Sequence, residues 1–546
     1  MRHHLLFHRA RWATLVFAAA TLFSGGALLA QSRGLVSSID ARRIGLERSW
    51  FTQINVDSGR GELSFVTPYV SHAKAFTIYE VVWETGKLEF SELERDPFGQ
   101  PRGAEEALKA ANAKIEELTA EGLEPKLITS VVPEISLYAS TNRGVVHAID
   151  GETGRTRWSN IIGSTDYPTL EPGVNEDYVA VVNGSTLYVV ERGTGVLAWE
   201  RRLSGAPGAG PAVSDEMVFV PLMNGKVEAF KLTTDEEDEE LERKFRAPIT
   251  LVSIGDCYLQ PTVTPSVCAW VTDRGFMYVV NANKEGMLYR TEADDTVVAP
   301  ITYDAKGRSL MMASIDGYVY NVDETSGAII WRFSTGSPIA SSPHVVGDSV
   351  FVVTDKGGLF CVDAETGLEQ WWTPRVKKFL AGSKDRVYCT DQIGRLLVID
   401  AKNGGRIASL PTEQLDFLIT NHATDRIYVG TKSGLLQCLH EPQLARPLVY
   451  SGPGQESTET KQVKVGPDGD DAGGLGTTPA ASDDPFGTGG STTTTPSTSS
   501  DPFGTGGSSP PASDDPFGTG GGGSTPPASD DPFGTGGAAA SDSPFG

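Results

Sequence analysis

Histidine and cysteine, the side chains behind most metal and thiol chemistry, are scarce in this chain: eight histidines and five cysteines in 546 residues. Three histidines fall in the first ten residues, and the others (His72, His147, His344, His422, His440) are widely scattered. No HExxH, CxxC or other paired-histidine motif exists, nor a Gly-x-Ser-x-Gly elbow or a Gly-x-x-x-x-Gly-Lys phosphate loop. The cysteines, Cys257, Cys268, Cys361, Cys389 and Cys438, are too few and scattered for a disulfide framework. Either Cys257 and Cys268 pair across neighbouring strands, or all five are small buried residues.

Positive charge is also deficient. With 46 Lys and Arg against 70 Asp and Glu, the formal charge is −24, which argues against a nucleic-acid partner and against an anionic lipid surface. Long apolar runs are missing after residue 30. The one before it, residues 13–30, follows Arg2, Arg9 and Arg11 and ends at the small residue Ala30, so residues 1–30 read as an export signal. A retained anchor is the alternative, although Ser24, Gly25 and Gly26 weaken the run as a stable span. No cysteine lies near the cut, so a lipid anchor is not expected, and after cleavage no membrane span is expected. The destination is the periplasm or cell envelope.

Apolar residues fail again beyond residue 450. Only eight of the last 96 residues are Val, Ile, Leu, Met, Phe, Trp or Tyr, too few for a core, and residues 451–546 are expected to form a disordered acidic tail. Within it the phrase DPFG recurs around Phe486, Phe503, Phe517 and Phe533, and the same phrase surrounds Phe98 near the other end of the chain. Repeated anchors on a flexible tether raise the effective concentration at a partner, whereas a low-complexity expansion serves only solubility. Both readings stay open.

What is abundant is a repeat. The glycines Gly144, Gly184, Gly225, Gly275, Gly317, Gly358, Gly394 and Gly434 mark eight copies at intervals of 40, 41, 50, 42, 41, 36 and 40 residues. A period near 40 points to propeller blades. Each copy is an apolar, β-branched run, a polar turn with glycine, a second apolar run and a tight turn, best seen as Asp150, Thr153 and Gly154 or Asp363, Thr366 and Gly367. Asp323 and Gly327 occupy the same places in another copy. A tryptophan follows four residues after that second glycine, at Trp158, Trp199, Trp331 and Trp371, well suited to fill the space between radially packed sheets.

These residues resemble the tryptophan-docking blades of the pyrroloquinoline-quinone-like (PQQ-like) propellers. That family includes quinoprotein alcohol dehydrogenases and the noncatalytic propeller subunit of the outer-membrane β-barrel assembly machine. The resemblance implies an all-β fold, an eight-bladed β-propeller over residues 31–450, acting as an extracytoplasmic scaffold for proteins of the cell envelope. It also implies two rivals, a dehydrogenase with PQQ and calcium at the propeller centre and a small-ligand sensor. The dehydrogenases carry an adjacent Cys-Cys pair that this chain lacks, and no residue maps onto a calcium ligand or catalytic aspartate. No catalytic, cofactor or metal residue is therefore assigned, and the Asp, Thr, Gly and Trp positions are read as structural.

Copy 8 lacks an outer strand, and a propeller must close to remove its sheet edges. Residues 49–56, with Trp50, are the preferred closing strand, and residues 86–90 are the rival. Residues 70 to about 130 read as an insertion in the first blade, with an amphipathic helix carrying Ala107, Leu108, Ala111, Ile115 and Leu118 on one stripe. The acidic run 235–242 reads as a solvated loop.

Overall fold

Two apolar strands in sequence make a hairpin only if the turn between them is tight, and here a left-handed glycine supplies it. Gly144, Gly184, Gly225, Gly275, Gly317, Gly394 and Gly434 have φ between +62° and +95°. In the sixth copy Gly357 takes this role, at φ +82°, and Gly358 begins the next strand. The computed structural model describes residues 34–57, 59–94, 102–233 and 247–450. The export signal, the acidic run, Phe98 and the DPFG tail lie outside the described residues.

The described residues are mostly strand and turn, arranged as eight antiparallel sheets in chain order, seven of four strands and one of five. Blade 2 is typical, with Gly173–Val174, Tyr178–Asn183, Thr186–Glu191 and Leu197–Arg202 running from centre to rim. Its second strand buries Val179, Ala180, Val181 and Val182, hence both faces, and a strand buried on both faces needs a sheet on either side. The outermost strands differ. Thr156–Ile161 and Leu197–Arg202 each bury one side chain, Trp158 and Trp199.

Each blade shares an apolar core with the next. Ala148 and Trp158 of blade 1 pack with Val181 and Val190 of blade 2, and similar cores follow around the molecule. The last joins blade 8 to blade 1 through Tyr428, Cys438, Trp50, Leu137 and Ile149. Eight sheets with eight interfaces form a closed propeller. All five cysteines are buried free thiols, with Cys257 and Cys268 in one inter-blade core.

Closure uses the N-terminal strand Glu47–Gln53, which pairs antiparallel with Leu435–His440 and becomes the rim strand of blade 8. A short helix, Ser38–Arg43, precedes it, capped by the Ser37 hydroxyl, which accepts from Asp40 N–H at 3.1 Å. The rival strand is committed elsewhere, because Gly86–Ser91 folds back on Trp83 and its neighbours as a hairpin.

Blade 1 carries the insertion. Leu63–Trp83 and Lys126–Thr141 are 21 and 16 residues long, and pair from Leu63–Thr141 out to Val82–Lys126 with a break between Val70 and Ala75. Glu176 of blade 2 holds the break, accepting from the Ser71 hydroxyl at 2.6 Å and from the amides of His72 and Ala73. Beyond it the strands form a small sheet with Gly86–Ser91, on which the helix Gly103–Ala120 buries Ala107, Ala111 and Leu118. Val81, Tyr79, Trp83 and Phe90 meet that stripe, so the helix covers its own sheet.

Candidate functional site

The repeated residues come together in pairs across blade boundaries. The indole N–H of each rim tryptophan donates to a backbone carbonyl in the turn of the following blade: Trp158 to Arg192 at 2.8 Å, Trp199 to Leu232 at 3.0 Å, Trp331 to Ala364 at 2.9 Å and Trp371 to Ala401 at 2.8 Å. Trp50 does the same across the closure, to Gly151 at 2.9 Å. In blade 4 a tyrosine stands in, with the Tyr289 hydroxyl 3.0 Å from the carbonyls of Asp323 and Glu324. Nothing in the repeat marked that substitution except an aromatic at the tryptophan position. Blades 3 and 7 have Ile249 and Ala408 in that place.

The receiving turn is built by its own side chains. Asp363 Oδ1 accepts from Thr366 N–H at 2.8 Å and from the Thr366 hydroxyl at 2.7 Å, and Asp150 and Asp323 do likewise with Thr153 and Ser326. These bonds favour the carboxylate and lower the pKa of Asp363 and Asp323 below the ordinary value. The turn glycine then lies under the neighbour's ring. A Cβ on Gly154 would sit 2.4 Å from Trp50, and one on Gly367 2.6 Å from Trp331. The joints are mechanical, with their polar atoms engaged by one another.

Chemistry gathers instead along the axis, in residues the repeat did not reveal. Cavities of about 420 and 770 Å³ share Gln260, Ile301, Thr302 and His422, and their walls come from the inner strands of successive blades. Ionisable side chains line the larger one, among them Glu171, His344, Lys378 and His422. His344 stacks on Phe379, centroids 4.7 Å apart, and lies 6.3 Å from His422. Burial, with His422 and Lys378 nearby, pushes the His344 pKa down to about 3, and burial lowers that of His422 as well. Both rings are therefore neutral at pH 7 and offer one donor and one acceptor each.

Burial raises the Glu171 carboxyl pKa and lowers that of the Lys378 ammonium, which donates to the Leu418 carbonyl. Glu171 accepts from the Thr67 hydroxyl at 3.4 Å. This set can orient a small polar guest by hydrogen bonds and charge. The two histidines are 78 positions apart in sequence, in blades 6 and 8, and the packing of consecutive blades makes them neighbours. The DPFG phenylalanines Phe98, Phe486, Phe503, Phe517 and Phe533 fall outside the described residues.

A fold of eight docked sheets around a polar channel defines a tryptophan-docking propeller. The family described as "Outer membrane protein assembly factor BamB" matches residues 142–238 and 315–440. The chain is 23% identical over 329 residues to BamB of Moranella endobia, covering 56% of this chain and 82% of that one. It is also 23% identical over 347 residues to BamB of Shewanella oneidensis, covering 58% and 85%. Among solved structures, BamB from Moraxella catarrhalis aligns with a TM-score of 0.45 at 14% identity, over 56% of this chain and 91% of that one. This is a PQQ-like β-propeller repeat protein, similar to BamB.

Proposed function

We propose that this chain is a noncatalytic extracytoplasmic scaffold, a propeller that holds protein partners in the cell envelope and takes part in outer-membrane protein assembly. The observation that carries the reading is the match of the repeats to the BamB family, with relatives of that name covered over 82% and 85% of their length. The chemistry of the blades supports it, because the recurring aspartates and tryptophans bind their own backbone and leave the loops and rims for partners. Export through residues 1–30, residence in the periplasm, and DPFG phrases that hold a partner belong to the same proposal.

The experiment is deletion of the gene in its source organism, with outer-membrane proteins quantified by mass spectrometry. Their abundance is expected to fall and to recover with the intact gene. A copy with Phe98, Phe486, Phe503, Phe517 and Phe533 changed to Ala is expected to restore it only in part. Unchanged abundance on deletion overturns the reading, and full rescue by the Phe variant removes the anchor role alone. A second reading, a propeller that senses a small polar ligand, is favoured by the channel with Glu171, Lys378 and two neutral histidines.

A further inference from the structure

The inner strand of the insertion has an open side. Among the described residues, 126–132 pair only with 76–82, because the strand on the other flank, Val145–Asp150, begins its pairing at Ser136. They therefore form a sheet edge, and no described residue outside that pairing is hydrogen-bonded to their backbone. The opposite edge, Gly86–Ser91, is blunted by charge: Lys87 lies 2.9 Å from Glu80 and 3.2 Å from Glu89. From Leu127 to Val132 there is no charge, and Val131 is 51% exposed. An unblunted edge of β-branched residues is a template for another strand.

The sequence specifies which strand. It reads Glu124, Pro125, Lys126, Leu127, Ile128, Thr129, Ser130, Val131, Val132, Pro133, Glu134, with prolines bracketing seven residues centred on Thr129. Proline has no N–H to donate, so it ends a pairing run. Only one antiparallel register of this segment with itself uses all seven residues and leaves both prolines outside.

The geometry points to a homodimer in which two copies join edge to edge through residues 126–132, about a two-fold axis at Thr129. Each three-stranded insertion sheet becomes half of a six-stranded one. Leu127 faces the second copy's Val131, Ile128 faces Ser130 and Lys126 faces Val132, so no like charges meet across the axis. Leu127, Thr129 and Val131 share a sheet face with Tyr79, Val81 and Phe90, the face the helix covers, so both helices lie on one side of the joined sheet. The segment lies outside the residues matched to the BamB family, and the inference is independent of the assembly role. A seven-residue edge is a small interface, and a net charge of −24 opposes self-association, so the dimer is weak and strengthened by salt.

The test uses the full mature chain. The five native thiols are buried, so a new surface cysteine reports alone. Under mild oxidation Thr129→Cys is expected to give a disulfide-linked dimer, and Glu89→Cys, on the charged edge, is not. By sedimentation the unmodified protein is expected to show a monomer–dimer equilibrium that shifts to dimer with concentration and with salt. Val131→Lys, at a half-exposed position, is expected to keep the fold and melting temperature and to remain monomeric. A monomer at high concentration in both low and high salt overturns the inference. So does cross-linking at position 129 no faster than at position 89, or a Val131→Lys variant that still dimerises.

Discussion

Gly367 meets two demands with one missing methylene. Its φ of +71° is a conformation that L side chains rarely adopt, and the Trp331 ring occupies the place a Cβ would take, 2.6 Å away. The two contributions are separable. Gly367→Ala alone is expected to lose both, whereas in a Trp331→Ala background the ring is gone and only the backbone strain of about 1 kcal/mol remains. Trp331→Ala itself is expected to cost about 3–5 kcal/mol. Urea denaturation of the two single variants and the double variant checks this, and additive losses would deny the contact.

His344 makes a second demand at the same scale. Its folded pKa of about 3 lies below the ordinary value near 6.5, so the unfolded chain binds the extra proton between those limits. Its contribution to stability is therefore complete above about pH 6.5 and is lost as pH falls toward 3, at about 1.4 kcal/mol per pH unit. His344→Phe, which keeps a ring against Phe379, is expected to flatten that slope while Glu171, Lys378 and His422 still titrate. Denaturation of both proteins from pH 8 to pH 4 makes the comparison, and parallel curves would refute it.

Among the elements, those that repeat were legible and those that occur once were not. The rim strands announce themselves by Trp158, Trp199, Trp331 and Trp371, a large buried residue at a fixed place on a strand whose other side chains are mostly solvated. The closing strand had two candidates, residues 49–56 with Trp50 and residues 86–90, where Gly86 and Phe90 echo the aromatic spacing of the repeat. Local closure decided between them: Trp83 pairs with Gly86 across a two-residue turn, a short loop with little entropy to lose, and that hairpin removes residues 86–91 from the competition. Glu47–Gln53 is then free to pair with Leu435–His440, nearly four hundred positions away. The channel residues had no such signature. Glu171, His344, Lys378 and His422 come from different blades, share no period, and acquire a common environment only from the ring.

At the scale of the molecule, one joint differs from the others: within blade 8 the rim strand Glu47–Gln53 comes from the N-terminus and meets Leu435–His440 through strand pairing alone, with no turn between them. Blade 8 is then held to blade 1 by Trp50 of that strand, on the carbonyl of Gly151, and by Arg426, whose guanidinium donates to both Glu152 oxygens at 3.0 Å. Arg426 also reaches Asp425 at 3.1 Å, and burial pushes the Asp425 carboxyl up to about 6, so this end of the clasp is strained in its charged form. Opening the joint exposes two sheet edges and the core around Tyr428 and Cys438. A chain lacking residues 1–53 is therefore expected to unfold in urea in a broadened or biphasic transition, with the amides of Leu435–His440 exchanging first. Trp50→Ala, which keeps the strand, is expected to lower the midpoint and retain a single transition. If the truncated chain unfolds in one step at the full-length midpoint, closure by the N-terminal strand contributes nothing to cooperativity.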